Sequence, residues 1–321
     1  MPAIALAAMA LATIWAPATA RAADGVATIT VLEGNAWILR GTAKLIAAEG
    51  VRLRPDDIVE TAPSTFARLE FAPGPVVDVG AATRLMLAPA GAPGPGRPGM
   101  YLLAGWLKLT SPRDPAASAG SPASAFASPR MDLAGIKGVT LAQVGADDSM
   151  VFIESGEARL VDRRARAAAP LVLQSGDYVE LRGAKESDRA QRPSAAFLSS
   201  MPVPFRDSLP PRAAEFAERN VAPREAGTFG YKDVQAWLTV DRLLGRRLVR
   251  LWAPKASDPA FRAGLTTNLA AHPEWFPILY PDCCNAPPPN PATTTGHSPP
   301  PAPEPQQAPP RPAAPATLPS D

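Results

Sequence analysis

The chain has 321 residues, of which 46% are hydrophobic, enough for a sizeable core. Its 32 basic and 30 acidic side chains leave a formal net charge of +2, which excludes a bulk electrostatic attraction to nucleic acid. The 40 prolines stand well above the usual share of about 5%, and many follow Cys284, so the foldable part is shorter than the chain.

Residues 4–15 are apolar and alanine-rich, and Ala20-Arg21-Ala22 supplies small residues where a signal peptidase reads. An export signal over residues 1–22 is expected, although the usual basic start is missing. The run is short against the ~20 residues of a spanning helix, and no other apolar run could cross a bilayer. An uncleaved anchor or a buried helix is the plainer alternative. The mature protein is expected in the periplasm, or secreted.

Residues 26–87 read as short strands broken by turns, which argues an all-β sandwich or stacked-strand unit, not βαβ. Ala36-Trp37-Ile38-Leu39 lies between Gly34 and Gly41, and Asp56-Asp57 turns into Ile58-Val59. Phe66-Ala67-Arg68-Leu69-Glu70-Phe71 alternates strictly, so Phe66 and Arg68 face away from Ala67 and Leu69. Residues 88–98, dense in Pro and Gly, form a loop. Residues 100–109 return to strand, with Gly105 as a hairpin turn or bulge. Residues 113–129 hold almost no large apolar residue and are expected to be a flexible excursion. A second β block over 131–182 has turns at 145–148, at Ser155-Gly156 and at 175–177, and a basic hairpin tip at 163–169. The two blocks share a cadence that suits strand pairs covering one another's apolar faces.

From Pro202 the pattern becomes helical. Leu209-Pro210-Pro211 opens a short helix over 212–219, and residues 231–238 and 241–252 are further helices. Asp258-Pro259 starts another, with Phe261, Leu265 and Leu269 on its buried face and His272-Pro273 ending it. Trp275, Phe276, Ile278, Leu279 and Tyr280 close the small helical core. The expected architecture is mainly β: a stacked or sandwich-like antiparallel module over 26–182, a small all-α C-terminal unit over 202–282, and a disordered Pro-rich tail over 286–321.

No catalytic constellation, cofactor motif or metal-ligand spacing emerges. His272 reads as a structural helix-end residue and His297 lies in the tail, while G-x-S-x-G and the phosphate-loop patterns are absent. Asp56-Asp57 and Asp147-Asp148 sit in turns, where Asp is favoured because its side chain bonds nearby backbone. Cys283 and Cys284 are adjacent, so an ordinary disulfide between them would be strained; pairing with a second chain and incidental residues are the remaining readings. The candidate binding residues are basic: Arg163, Arg164 and Arg166 at the hairpin tip, and Arg242, Arg246, Arg247 and Arg250 along one helix. Either group could meet phospholipid headgroups, lipopolysaccharide phosphates or an acidic glycan; the plainer reading is a solvated face balanced by acids. Trp37 and Trp106 could stack on sugar if outward, but core positions suit them better.

Residues 34–41 (GNAWILRG), 54–61 (RPDDIVET) and 64–71 (STFARLEF), with 154–161 (ESGEARLV) and 173–179 (LQSGDYV), resemble the FecR domain. The resemblance covers about 26–182 and implies an all-β extracytoplasmic module. In the family's best-known members a membrane helix links it to a cytoplasmic region controlling a sigma factor in iron-siderophore signalling. This chain departs from that pattern: no cytoplasmic region is expected before its export segment, and the usual Gly-Asp turn appears as Asp56-Asp57. Fold and compartment follow from the resemblance; iron signalling does not.

These readings lead to an exported, non-enzymatic binding or scaffolding protein of the cell envelope, its partner another envelope protein or a glycan. Contact with a membrane surface is compatible with it. Exposed strands that could take an added strand support that expectation. A periplasmic signalling partner of a transmembrane regulator is the alternative, and an envelope polysaccharide hydrolase is a more distant one.

Overall fold

A computed structural model describes residues 26–71, 74–87, 99–112, 124–165, 169–183, 188–219, 221–240 and 242–284. The expected export segment, the loop over 88–98, the excursion over 113–123 and the tail over 286–321 lie outside the described residues.

The alternating runs form strands, as period-2 apolar patterning requires. The first block gives β1 (Ala27–Glu33), β2 (Ala36–Arg40), β3 (Ala43–Ile46), β4 (Arg52–Leu53), β5 (Ile58–Thr61), β6 (Phe66–Glu70), β7 (Val76–Val79), β8 (Arg84–Leu87) and β9 (Met100–Thr110). The second gives β10 (Phe126–Ala127), β11 (Met131–Val144), β12 (Asp148–Asp162), β13 (Leu171–Gln174), β14 (Tyr178–Arg182) and β15 (Asp188–Ala190). With β16 (Arg224–Thr228) they make one 16-stranded sheet, antiparallel except where β10 runs parallel to β9.

That sheet folds over itself into two leaves, because β9, β11 and β12 are long enough to serve both. The first leaf runs β16-β3-β2-β5-β8, then the start of β9, β10, the start of β11, the end of β12, and β13. The second leaf runs β4-β1-β6-β7, then the end of β9, the end of β11, the start of β12, β14 and β15. The strands bend at glycines. Gly138 and Gly156 are cross-strand partners at φ of 78° and 86°, and a Cβ on Gly156 would sit 2.0 Å from the Lys137 carbonyl oxygen. Gly105, at φ 98°, follows a bulge in which Leu103 has no register partner on β8.

Between the leaves lies the main core, with Ile29, Ile38, Leu69, Leu85, Leu102, Leu107, Leu133, Ile153 and Val179 all buried. β9 shows how the pleat serves three layers. Met100, Leu102, Leu107 and Leu109 point inward, Tyr101 and Leu103 face the helical side, and Trp106 faces the opposite cover.

Both outer faces are covered by the C-terminal part of the chain. Over the second leaf lie α1 (Ala195–Ser200) and a 3-10 turn at Val203–Arg206, whose Phe197 and Phe205 pack on Phe66, Trp106, Leu141 and Tyr178. Over the first leaf lie α2 (Tyr231–Leu238), α3 (Arg242–Trp252), α4 (Pro259–Thr267) and α5 (Phe276–Leu279). Their Trp237, Leu248, Trp252, Phe261 and Trp275 share one cluster with Leu39, Ile58, Met86, Tyr101 and Leu103 of the sheet. The start of α4 is built as its sequence dictates: Asp258 accepts from the Ala260 amide at 2.9 Å, and Pro259 fills the first helical position. Pro281–Cys284 forms a short helix, α6, in a second compact unit, and Cys283 carries an exposed free thiol.

Several expectations are corrected. The helical segment shares its core with the sheet, since a two-turn helix with one apolar face must bury that face on something. Ser155-Gly156 is a kink inside continuous β12, not a turn. Phe126, within the expected excursion, is fully buried on β10. Residues 212–219 hold only a 3-10 turn at Ala213–Phe216. The edge of β3, which an added strand could have used, is taken by β16 of the same chain.

Candidate binding surface

The basic residues singled out from sequence divide into engaged and exposed. Arg164 forks onto Asp162, with Nε and Nη1 reaching the Asp162 Oδ1 and the Gly183 carbonyl at 2.9 and 2.7 Å. The Arg164 hydrogen bonds hold the Asp162 carboxyl below its ordinary range. Arg163 donates to the Ser128 carbonyl at 2.9 Å, which fastens the hairpin tip to the turn before β11. Arg166 lies outside the described residues, as does the Arg242 side chain. Arg247 donates from Nε to Asp56 Oδ1 at 2.6 Å and from Nη2 to Oδ2, tying α3 to the turn before β5. Arg246 and Arg250 are exposed on α3.

The acidic turns are structural on both sides of the molecule. Asp57 accepts from the Arg54 amide at 2.8 Å and from the guanidinium of Arg40 at 2.6 Å. Asp177 repeats the arrangement, accepting from the Gln174 amide at 2.7 Å and from Arg189 at 2.7 Å. The residue before each aspartate has positive φ, 70° at Asp56 and 91° at Gly176. The shared cadence of the two blocks thus has a common turn as its physical basis.

The outer face of the second leaf carries a charged row that sequence reading passed over. Arg68 on β6, Asp78 on β7 and Lys108 on β9 are register partners across three strands. Arg68 and Asp78 are 3% and 1% exposed and joined at 2.6 and 2.9 Å. Their polar atoms also hold the chain that crosses above them. Lys108 donates to the Phe205 carbonyl and, at 3.4 Å, to that of Asp207. Arg68 donates to the Leu209 carbonyl at 2.9 Å. Glu70 accepts from the Arg212 and Ala213 amides at 2.8 and 2.9 Å and from the Thr30 hydroxyl at 2.7 Å. The available signal was alternation: Arg68 and Glu70 share a strand face with buried Phe66, where an unpaired charge is costly.

Under the helical cover, burial raises the Glu60 carboxyl above its ordinary value, against the hydrogen bond it accepts from Trp237 Nε1 at 3.2 Å. Burial lowers the imidazole of His272, whose Nε2 lies 3.1 Å from the Tyr231 hydroxyl. Trp106 is buried and Trp37 half-buried, with the Lys44 ammonium 5.0 Å from its ring centre. Among the described residues no group of three or more His, Cys, Asp or Glu is placed to hold a metal, and no helix is long and apolar enough to cross a membrane.

No family model and no curated protein matches the sequence. Two crystal structures, each of a candidate anti-sigma factor from Parabacteroides distasonis, are similar to parts of the chain. The first, at 13% identity and a TM-score of 0.36, aligns with 44% of this chain and 64% of its own. The second, at 12% identity and a TM-score of 0.35, aligns with 42% of this chain and 59% of its own. The chain thus spans about three fifths of the length of the solved chains it matches.

Proposed function

We propose that this protein is an exported, non-enzymatic binding or scaffolding component of the cell envelope, engaging another envelope protein or an acidic glycan. The observation that supports it most is how its buried charges are used. Asp57, Arg68, Glu70, Asp78, Lys108, Asp177, Lys255 and His272 are all buried, and each has a hydrogen-bonding partner within the chain that fastens one segment to another. Of the arginines singled out from sequence as anionic contacts, Arg246 and Arg250 on α3 are exposed and open to a partner. The FecR-like strand-and-turn pattern supports the extracytoplasmic placement; a signalling role toward a transmembrane regulator is the second reading and draws on that resemblance alone.

The test is capture of envelope proteins and glycans by purified mature protein, compared with the R246E/R250E double variant. Wild type is expected to retain an anionic partner in a salt-sensitive manner and the variant to lose it at least tenfold, each exposed guanidinium contributing about 1 kcal/mol to an anionic contact. No retained partner, or equal retention by both, would overturn the reading.

A further inference from the structure

We infer that the outer face of the second leaf is a peptide-binding groove, occupied in this structure by residues 203–213 of the chain itself. It would accept in trans a peptide with an aromatic residue in a 3-10 turn four positions before a Leu-Pro-Pro-Arg run. This surface is separate from the basic face of α3 and does not depend on Arg246 or Arg250.

The groove recognises main chain. Lys108 donates to the Phe205 carbonyl inside the 3-10 turn and to that of Asp207 just after it, where the chain becomes extended, Arg68 donates to the Leu209 carbonyl, and Glu70 accepts the amides of Arg212 and Ala213. The Asp207 and Leu209 carbonyls, two residues apart, present one edge of the chain to the sheet, as peptides do on other extended-chain sites. Side-chain selection comes from one pocket. Phe205 is 1% exposed and stands edge-on to Phe66 and Trp106, each at 6.3 Å between ring centres.

Part of the groove is held from within the sheet: Arg68 is forked to Asp78, and Glu70 accepts the Thr30 hydroxyl. The occupant is held lightly in turn. Residues 206–211 are all exposed, including the large apolar Leu209, so between Phe205 and Arg212 it buries no apolar side chain. Water can replace the carbonyls at charged donors at little net cost. Segments with few buried apolar contacts open locally below the global unfolding free energy. In cis the segment has a high effective concentration, which explains how weak attachment still fills the groove.

A labelled synthetic peptide spanning residues 202–214, titrated into the full chain, tests this by fluorescence anisotropy. The Phe205→Ala variant, with its own segment loosened, is expected to bind at least tenfold more tightly than wild type. The same peptide carrying Phe205→Ala is expected to lose at least tenfold. Absence of saturable binding to a variant that melts cooperatively, or equal binding by the altered or a scrambled peptide, would overturn the proposal. A second measurement needs no variant. In wild-type protein the Arg212 and Ala213 amides should exchange with deuterium at least a hundredfold faster than the amides of β6; exchange at the β6 rate would overturn it equally. Failure in either arm leaves the envelope-partner reading standing, because no peptide enters that test.

Discussion

Asp57 shows how much one side chain can organise. Its carboxylate closes the turn from Arg54, neutralises Arg40, and is 1% exposed. Asp57→Ala would leave a guanidinium and an amide without their acceptor, and should lower the unfolding free energy by about 3 kcal/mol in urea titration. His272 gives a pH dependence of definite sign. Burial lowers its folded-state pKa from 6.5, so the unfolded chain binds the proton more readily. Its contribution is complete above pH 6.5 and is lost as pH falls from there toward the folded value. Glu60 acts oppositely, its raised pKa making the folded state lose stability as pH rises from 4.5 to the folded value. His272→Gln should therefore lose less melting temperature, or gain more, than wild type on acidification from about pH 7.5 to 5.5, because the Glu60 contribution is common to both. At this scale the sequence was informative where a residue acts on its neighbours, as the aspartates do in their turns. It read Arg247 as a surface contact and passed over Lys108, because their partners lie far along the chain and meet them only through the fold.

Among the elements, the three shared strands carry the architecture. Gly156→Ala would place a Cβ against the Lys137 carbonyl at positive φ, and should cost about 3 kcal/mol in denaturant midpoint analysis, more than the 1–2 of left-handed strain alone. Gly183→Ala, where a Cβ meets nothing within 4 Å, is the control for strain without the clash. Most strands could be read directly, since alternation and turn residues are local properties. Ser155-Gly156 was misread because a serine-glycine pair marks a turn and a bulge alike. β10 escaped notice because two residues carry no periodicity; Phe126 was the one cue. Asp258-Pro259 identified α4 because capping is chemistry within three residues.

For the whole of the first unit, the shared clusters imply one cooperative body. A fragment covering residues 26–201 would leave Leu39, Ile58, Tyr101 and Leu103 uncovered, and should be aggregation-prone or molten where the longer chain is folded. Calorimetry of the longer chain should show a single transition in which sheet and helices melt together; a separate helical transition would contradict the shared core. The pairing of β16 with β3 has a kinetic consequence. Thr228 meets Ala43, so the sheet closes on a contact between one of its first strands and its last. Chain-closure entropy makes such contacts slow to form, and a ribosome delivers their two halves far apart in time. Until the last third emerges, the edge of β3 is an open template, and the nascent protein is at its most vulnerable to pairing with strangers.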